Sequence, residues 1–594
     1  MSRPAARLIV ALALAAIIAV PVILHAQETT AEIPSATIRA NTRLVLVDVV
    51  VTDKKGQPIT GLKAEDFTVE ENGKKQKISV FVAPGAATRP KPEPAPPGVL
   101  SNHPEHVGPA GVPTVLILDA PNSPFKEQAY ARAQMLKYVV EQSQAGQLMA
   151  VVALTDRLHV LQEFTSDPQI LLTAIKNFKP QEQILKPSPP PAASDYAISK
   201  LGMDFYIYQG VASMAQGVAA IYVQQQLAGF NNLQIGYDLE RRTRITIEAM
   251  RTLARMLGGL QGRKTVVWLT ADLPFDLIPE DRNVSDAELT SALPAMGNQP
   301  VSVRGAGTVA AEERGLHGQE IKDAESRLAN AGIAIYPVDL RGLVGGMESL
   351  AALYEKRDTD ANGAGLAKTA IQQAGSLEAS QGTMREIAAE TGGKAYMNEN
   401  EIRQGVALAV SDNNASYEIG YYPENKKWDG KYRNIKIKLA QGDAQIRHRK
   451  GYFAIETGPT KDHNFEQDVA AALAVGAPAT QVSFMAQVKP TDPGKVRVVF
   501  LVDAHTLSAE DSGANKKMNV TLYAGLYDAS GKSLGVRSTK VDRAFDAATY
   551  RQILDEGMLV PLDMDLPAGA NQLRLAVLDN KTGFIGTATG TPGQ

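Results

Sequence analysis

The chain has 594 residues, 44% of them hydrophobic and 21% charged, and carries a formal net charge of −3. That near balance excludes the basic surface on which nucleic-acid binding depends, and the length calls for several domains. With no cysteine, disulfides, thiolate metal sites, cysteine nucleophiles and a lipid-modified cysteine are all excluded.

At the start, Arg3 and Arg7 precede the apolar run "LIVALALAAIIAVPVIL", which ends at "LHAQ" with Leu24 and Ala26 at the −3 and −1 positions of a cleavage site. This pattern predicts a secretory signal peptide over residues 1–26 and an exported remainder in the periplasm, at the outer surface or outside the cell. The alternative is an uncleaved anchor, since the run is close to the ~20 residues that span a bilayer. Membrane contact would then run through that segment alone.

Residues 43–51, "RLVLVDVVV", alternate and then run apolar, and "FTVEENG" with "KQKISVFV" reads as two short strands around an Asn-Gly turn. Residues 40–84 are therefore expected to form a small N-terminal β module. The following "PGAATRPKPEPAPPGVL" is dense in proline, which removes ladder donors and fixes φ, so residues 85–112 read as an extended linker.

From residue 113 the period changes. "TVLILD", "LMAVVALT", "LHVLQEF", "KTVVWLT", "IAIYPVDL" and "SYEIGYY" read as strands, several of them separated by amphipathic helices. Such alternation predicts an α/β domain, a doubly wound and mostly parallel sheet, over residues 113–455. Ligands of such sheets lie at the carboxyl ends of the strands, and Asp119, Asp272 and Asp339 stand at those ends. An insertion at about 185–239 is proline-rich and then rich in Ala, Gln, Gly and Tyr; it adds surface near that crevice or only covers the sheet. Residues 433–454 look like an appended hairpin. Residues 465–594 alternate with frequent turn signals, as expected of a C-terminal antiparallel β-sandwich.

Several of these stretches carry a resemblance. "LVDVVVTDKKGQPITGLKAEDFTVEENGKKQKISVF", "VLILDAPNSP", "FTSDP", "GRKTVVWLTADLP", "IAIYPVDLRGL", "GYYPENKKWDGKYRNIKIKL" and "IRHRKGYFA" are similar to the von Willebrand factor A-related proteins abundant in Acidobacteria, over about residues 40–455. The resemblance implies partner binding through a metal-ion-dependent adhesion site, in which a DxSxS turn, a threonine and a second aspartate hold Mg²⁺. Mg²⁺ asks for octahedral oxygen ligands, which an aspartate and two hydroxyls on one turn can supply. Here the turn is Asp119, Ala120, Pro121, Asn122, Ser123. Asp119 and Ser123 match, whereas Pro121 replaces the first hydroxyl. Asp272 is the match for the second aspartate, with Thr270 nearby; Thr246 is the candidate threonine of the middle loop. The missing oxygen makes the site degenerate and weak Mg²⁺ binding the expectation, with Asp119 bonding local backbone amides as the alternative.

Other motifs carry less. "DTDANG" places Asp358, Asp360 and Asn362 at the first ligand positions of a calcium loop, but Thr369 stands where the bidentate glutamate belongs, so a solvated loop is expected. "GGLQGRKT", residues 258–265, has phosphate-loop glycines in the wrong order, after a helix and before a strand. No HExxH occurs and the 8 histidines are scattered, while the one GxSxG spacing, "GKSLG" at residues 531–535, stands among the turn signals of the C-terminal alternating stretch and not between a strand and a helix, so no nucleophile–base pair or zinc cluster is named. The expectation is an exported, non-catalytic binding protein that recognises a protein partner at the cell envelope. The alternatives are an envelope hydrolase with its site in the insertion, and a structural scaffold.

Overall fold

The computed structural model describes residues 44–84, 95–103, 106, 113–141, 148–180, 238–260, 262–274, 320–342, 377, 380–397, 402–440, 444–454, 465–474 and 478–592. Residues 1–26, Asp358, Asp360, Asn362 and residues 185–237 of the insertion lie outside them. Among the described residues no helix is long and apolar enough to cross a membrane. The fold is mixed α/β, with several antiparallel sheets and one mixed sheet.

The chain begins with strands β1 (Val45–Thr52), β2 (Phe67–Glu71), β3 (Lys74–Gln76) and β4 (Ile78–Val82). Asn72 and Gly73 both take positive φ, 48° and 79°, the signature of the tight turn that the Asn-Gly pair favours between paired strands. It joins β2 to β3, with Glu71 opposite Lys74. The stretch "KQKISVFV" does not stay in one strand: β3 belongs to the sheet of β2, while β4 crosses to the sheet of β1.

Strand β5 (Val99–Ser101) corrects the expectation of an extended linker over residues 85–112, because it pairs antiparallel with a strand of the C-terminal region. The turn at Gly98, with φ 77°, ends the proline run. The residues after it carry backbone N–H groups, so a ladder is open to them. Asn102 then fixes the segment: its Nδ2 donates to the carbonyls of Ala479 and Val482 at 2.7 and 2.8 Å, and its Oδ1 accepts from Phe484 N.

The mixed sheet consists of β6 (Thr114–Asp119), β7 (Met149–Leu154), β8 (Leu158–Thr165), β9 (Lys264–Thr270) and β10 (Ile333–Asp339), in the order β10-β9-β6-β7-β8. All neighbours are parallel except β7 and β8. Every residue of β6, β7, β9 and β10 is buried, as their continuous apolar runs require of strands covered on both faces. On one face Val115, Ile117, Val266 and Trp268 pack against helices at 238–257, 320–330 and 380–391. On the other, Leu116, Leu118, Val267 and Leu269 meet helices α1 (Phe125–Glu141) and α2 (Pro168–Asn177) and the helix Ile402–Asn414.

Strand β11 (Ser416–Tyr421) is the second correction. "SYEIGYY" was expected in the α/β sheet, yet β11 pairs antiparallel with β1, Val47 opposite Ile419. Its pattern is the physical reason. Only Tyr417, Ile419, Gly420 and Tyr421 are buried, as in a half-covered antiparallel strand, unlike the fully buried parallel strands. Strands β12 (Tyr432–Leu439), β13 (Gln445–Arg447) and β14 (Gly451–Phe453) follow it. The expected N-terminal module and the expected hairpin are thus one unit. Two four-stranded sheets, β13-β1-β11-β4 and β14-β12-β2-β3, enclose Val47, Phe67, Tyr417, Ile419 and Ile437.

In the C-terminal region β15 (Phe484–Pro490), β16 (Lys495–Val502) and β20 (Met558–Asp565) form one antiparallel sheet with β5. A second sheet contains β17 (Glu510–Ser512), β18 (Asn515–Tyr527), β21 (Gln572–Asp579) and β22 (Ile585–Gly590), and β19 (Ser533–Phe545) pairs with β18. Phe484, Phe500, Leu522 and Leu575 from both sheets share one apolar cluster.

Candidate functional site

Asp119 is the last residue of β6, and the alternation along that strand turns its side chain to the face of Val115 and Ile117, toward the helix at 238–257. The chain then makes a tight turn, Ser123 N donating to Ala120 O at 3.3 Å, and enters α1. Gln128 in the first turns of α1 reaches back, its Nε2 donating to the carbonyls of Ala120 and Ser123 at 3.1 and 2.7 Å. The turn is held from within.

Two elements bond Asp119 directly, and a third joins through Asn122. Its Oδ1 accepts from Asn122 N at 3.1 Å; its Oδ2 accepts from Asn122 Nδ2 at 3.0 Å and from the indole Nε1 of Trp268 on β9 at 2.8 Å. The same Asn122 Nδ2 donates to Thr246 Oγ1 at 3.0 Å, and Thr246 Oγ1 itself donates to Arg242 O one turn earlier. Ser123 Oγ accepts from Ala271 N at 3.0 Å. Burial pushes the Asp119 carboxyl above the usual carboxylate range, opposed by the hydrogen bonds from Asn122, Trp268 and Thr270. Asp119, Asn122, Ser123, Thr246 and Thr270 are all nearly or fully inaccessible to solvent.

The structure therefore brings Asp119, Ser123 and Thr246 into one cluster, with Asn122 at its centre. Asp272 stands apart: its carboxylate meets Arg242 Nη1 at 3.4 Å, while its backbone N–H is received by Thr270 Oγ1. At the end of β10, Asp339 accepts from Arg341 N, Nε and Nη2 and from Gln381 Nε2. All three strand-end carboxylates are answered by donors of this chain. Sequence reasoning did not single out Trp268, Arg242 and Gln128. The partners of Arg242 and Trp268 lie 30 and 149 positions away, beyond any local pattern, whereas those of Gln128 lie only five and eight positions back.

An Mg²⁺ ion fits this cluster poorly. It needs bare oxygens directed at one point, whereas here an N–H group points at each candidate: Asn122 and Trp268 at Asp119, Asn122 at Thr246, and Ala271 at Ser123. Among the described residues no group of three or more His, Asp or Glu side chains is placed to hold a metal ion.

No family model matches the chain, and no curated protein matches it either. Among solved structures, an aerotolerance-related membrane protein from Bacteroides fragilis aligns with 51% of this chain and 99% of its own, at 14% identity and a TM-score of 0.21. An endonuclease/exonuclease/phosphatase from Beutenbergia cavernae aligns with 31% of this chain and 38% of its own, at 12% identity and a TM-score of 0.12. At such scores neither likeness bears on fold or function.

Proposed function

We propose that the chain is an exported, non-catalytic binding protein. In this reading the mixed sheet and its helices form a doubly wound domain of the von Willebrand A-related type with a degenerate adhesion site, the C-terminal sheets form a β-sandwich, and the crevice loops recognise a protein partner at the cell envelope. One observation carries it: polar groups of the β6–α1 turn, of the helix at 238–257 and of the backbone just after β9 meet at the carboxyl ends of parallel strands, where open α/β sheets bind their ligands. Phe125, at the start of α1 beside this turn, is 51% exposed, and the Arg242–Asp272 pair is partly open to solvent. Aromatic residues and arginine are enriched at protein–protein interfaces.

The test is affinity capture from an envelope extract with the full chain as bait. Phe125→Ala and Asp272→Ala are expected to lose a specific partner that Leu559→Ala, an exposed position in the C-terminal region, retains. Equal capture by all three variants would sink the crevice reading and leave this domain a structural spacer.

A further inference from the structure

We infer that the amide of Asn122 occupies the position that a cation would take, so that the crevice is held in its folded geometry without metal. This rests on the crevice reading above and states how that crevice is held. The geometry is specific. One nitrogen, Asn122 Nδ2, bridges a carboxylate oxygen of Asp119 and the hydroxyl oxygen of Thr246, each at 3.0 Å, in a site from which water is excluded. Two oxygens facing one point repel unless something positive lies between them, and an NH₂ group with its two protons directed at both answers that need as an ion does. Pro121 contributes no hydroxyl to the turn, and Asn122 fills the space from the next position. There is a cost on the other side of the same group: Asn122 Oδ1 is buried and has no hydrogen-bond partner, a state that is unfavourable for an amide oxygen. The side chain is placed for what its nitrogen does, at the expense of its oxygen.

The experiment is thermal melting of the purified full chain in chelator and in millimolar Mg²⁺. A ligand that binds only the native state raises the melting temperature. The wild-type protein is expected to melt at the same temperature in both. Asn122→Ser, which removes the bridging nitrogen and opens its space, is expected to melt lower in chelator and to recover part of the loss in Mg²⁺; Asn122→Ser with Asp119→Ala is expected not to recover. A Mg²⁺-dependent rise in the wild type that Asp119→Ala abolishes would overturn the inference, and so would a folded Asn122→Ser variant indifferent to Mg²⁺.

Should Asn122→Ser fail to fold, the wild type decides through the indole N–H resonance of Trp268, assigned by its retention in Trp428→Phe. Because Trp268 donates to the same Asp119 oxygen, this resonance is expected to stay in place on adding Mg²⁺, and its displacement would overturn the inference. Partner capture is a separate measurement, so loss of the crevice reading and loss of the Asn122 assignment are told apart.

Discussion

Gly259 N donates to Thr480 Oγ1 at 2.9 Å, and the same hydroxyl donates to Met256 O at 2.9 Å, so Thr480 of the C-terminal region caps the end of the helix at 238–257. Thr480 N also donates to Arg255 O. A Cβ at Gly259 would lie 1.7 Å from Thr480 O. Gly259 of "GGLQGRKT" thus serves a close approach of two backbones, which only glycine permits. Gly259→Ala is expected to undock the C-terminal region. The measurement is calorimetric unfolding, in which a single transition should split or the lower part should shift down by several degrees; an unchanged thermogram would refute the docking role.

Inside the two sheets built from β1–β4 and β11–β14, Glu71 and Arg433 form an ion pair at 3.3 Å, both buried. Tyr421 and Tyr452 each donate to Glu71 Oε2 at 2.9 Å, and Arg433 donates to the carbonyls of Asn425 and Lys427. Removing one member leaves the other charge buried and unanswered, which costs about 3–5 kcal/mol. Arg433→Met is expected to lower the unfolding free energy measured in denaturant by that amount, and Arg433→Met with Glu71→Met to lose much less. If the double variant were as unstable as the single one, packing and not charge would be the cause.

Glu325 offers a pH dependence with a defined sign. It lies 9% exposed on the helix at 320–330, and its Oε1 has no hydrogen-bond partner. Burial first, then the charges of Glu390 and Glu386, push its carboxyl from 4.5 to about 8, opposed by Lys322. The folded state therefore keeps a proton that the unfolded state releases. The stability tied to that proton is fully present below 4.5 and is lost as the pH rises through 8, by up to about 5 kcal/mol. Glu325→Gln mimics the protonated form, so it is expected to match the wild type at about pH 5 and to exceed it at about pH 9. Equal pH slopes of the two denaturation midpoints would exclude Glu325 as the titrating group.

What could be read in the sequence was whatever is local. The continuous runs of β6, β9 and β10 announce buried parallel strands, and Asn72-Gly73 announces its turn, because a few consecutive residues decide each outcome. Strand β11 pairs with β1 outside the α/β sheet, and its alternation differs from those runs, but the choice of partner rests on Tyr417 meeting Phe67 and Phe81 at 5.3 and 5.8 Å between ring centroids, far away in sequence. Strand β5 was hidden because the prolines before it dominate the local signal. At the candidate site Asp119 and Ser123 could be found from their turn, whereas the contact of Asn122 with Thr246 spans 124 positions and exists only once the helix at 238–257 packs on the sheet.

The indole of Trp268 gives the last expectation, because it separates packing from charge at Asp119. Trp268 is 1% exposed and Asp119 2% exposed, and Nε1 donates to Oδ2 at 2.8 Å. In Trp268→Phe the ring is kept in smaller form while the donor is lost, leaving a buried carboxylate with one partner fewer, at about 1–3 kcal/mol. Burial already raises the folded carboxyl above its ordinary 3.8, so the folded state holds its proton more tightly than the unfolded state, and stability falls as the pH climbs above 3.8. Loss of the indole donor weakens the ionised form further and steepens that fall. The packing loss, by contrast, does not depend on pH. The difference between wild type and Trp268→Phe in denaturant unfolding should therefore be smaller in acid and grow toward neutral pH, and the growth should vanish in an Asp119→Asn background. A difference that stays constant with pH would assign Trp268 to packing alone and remove it from the site.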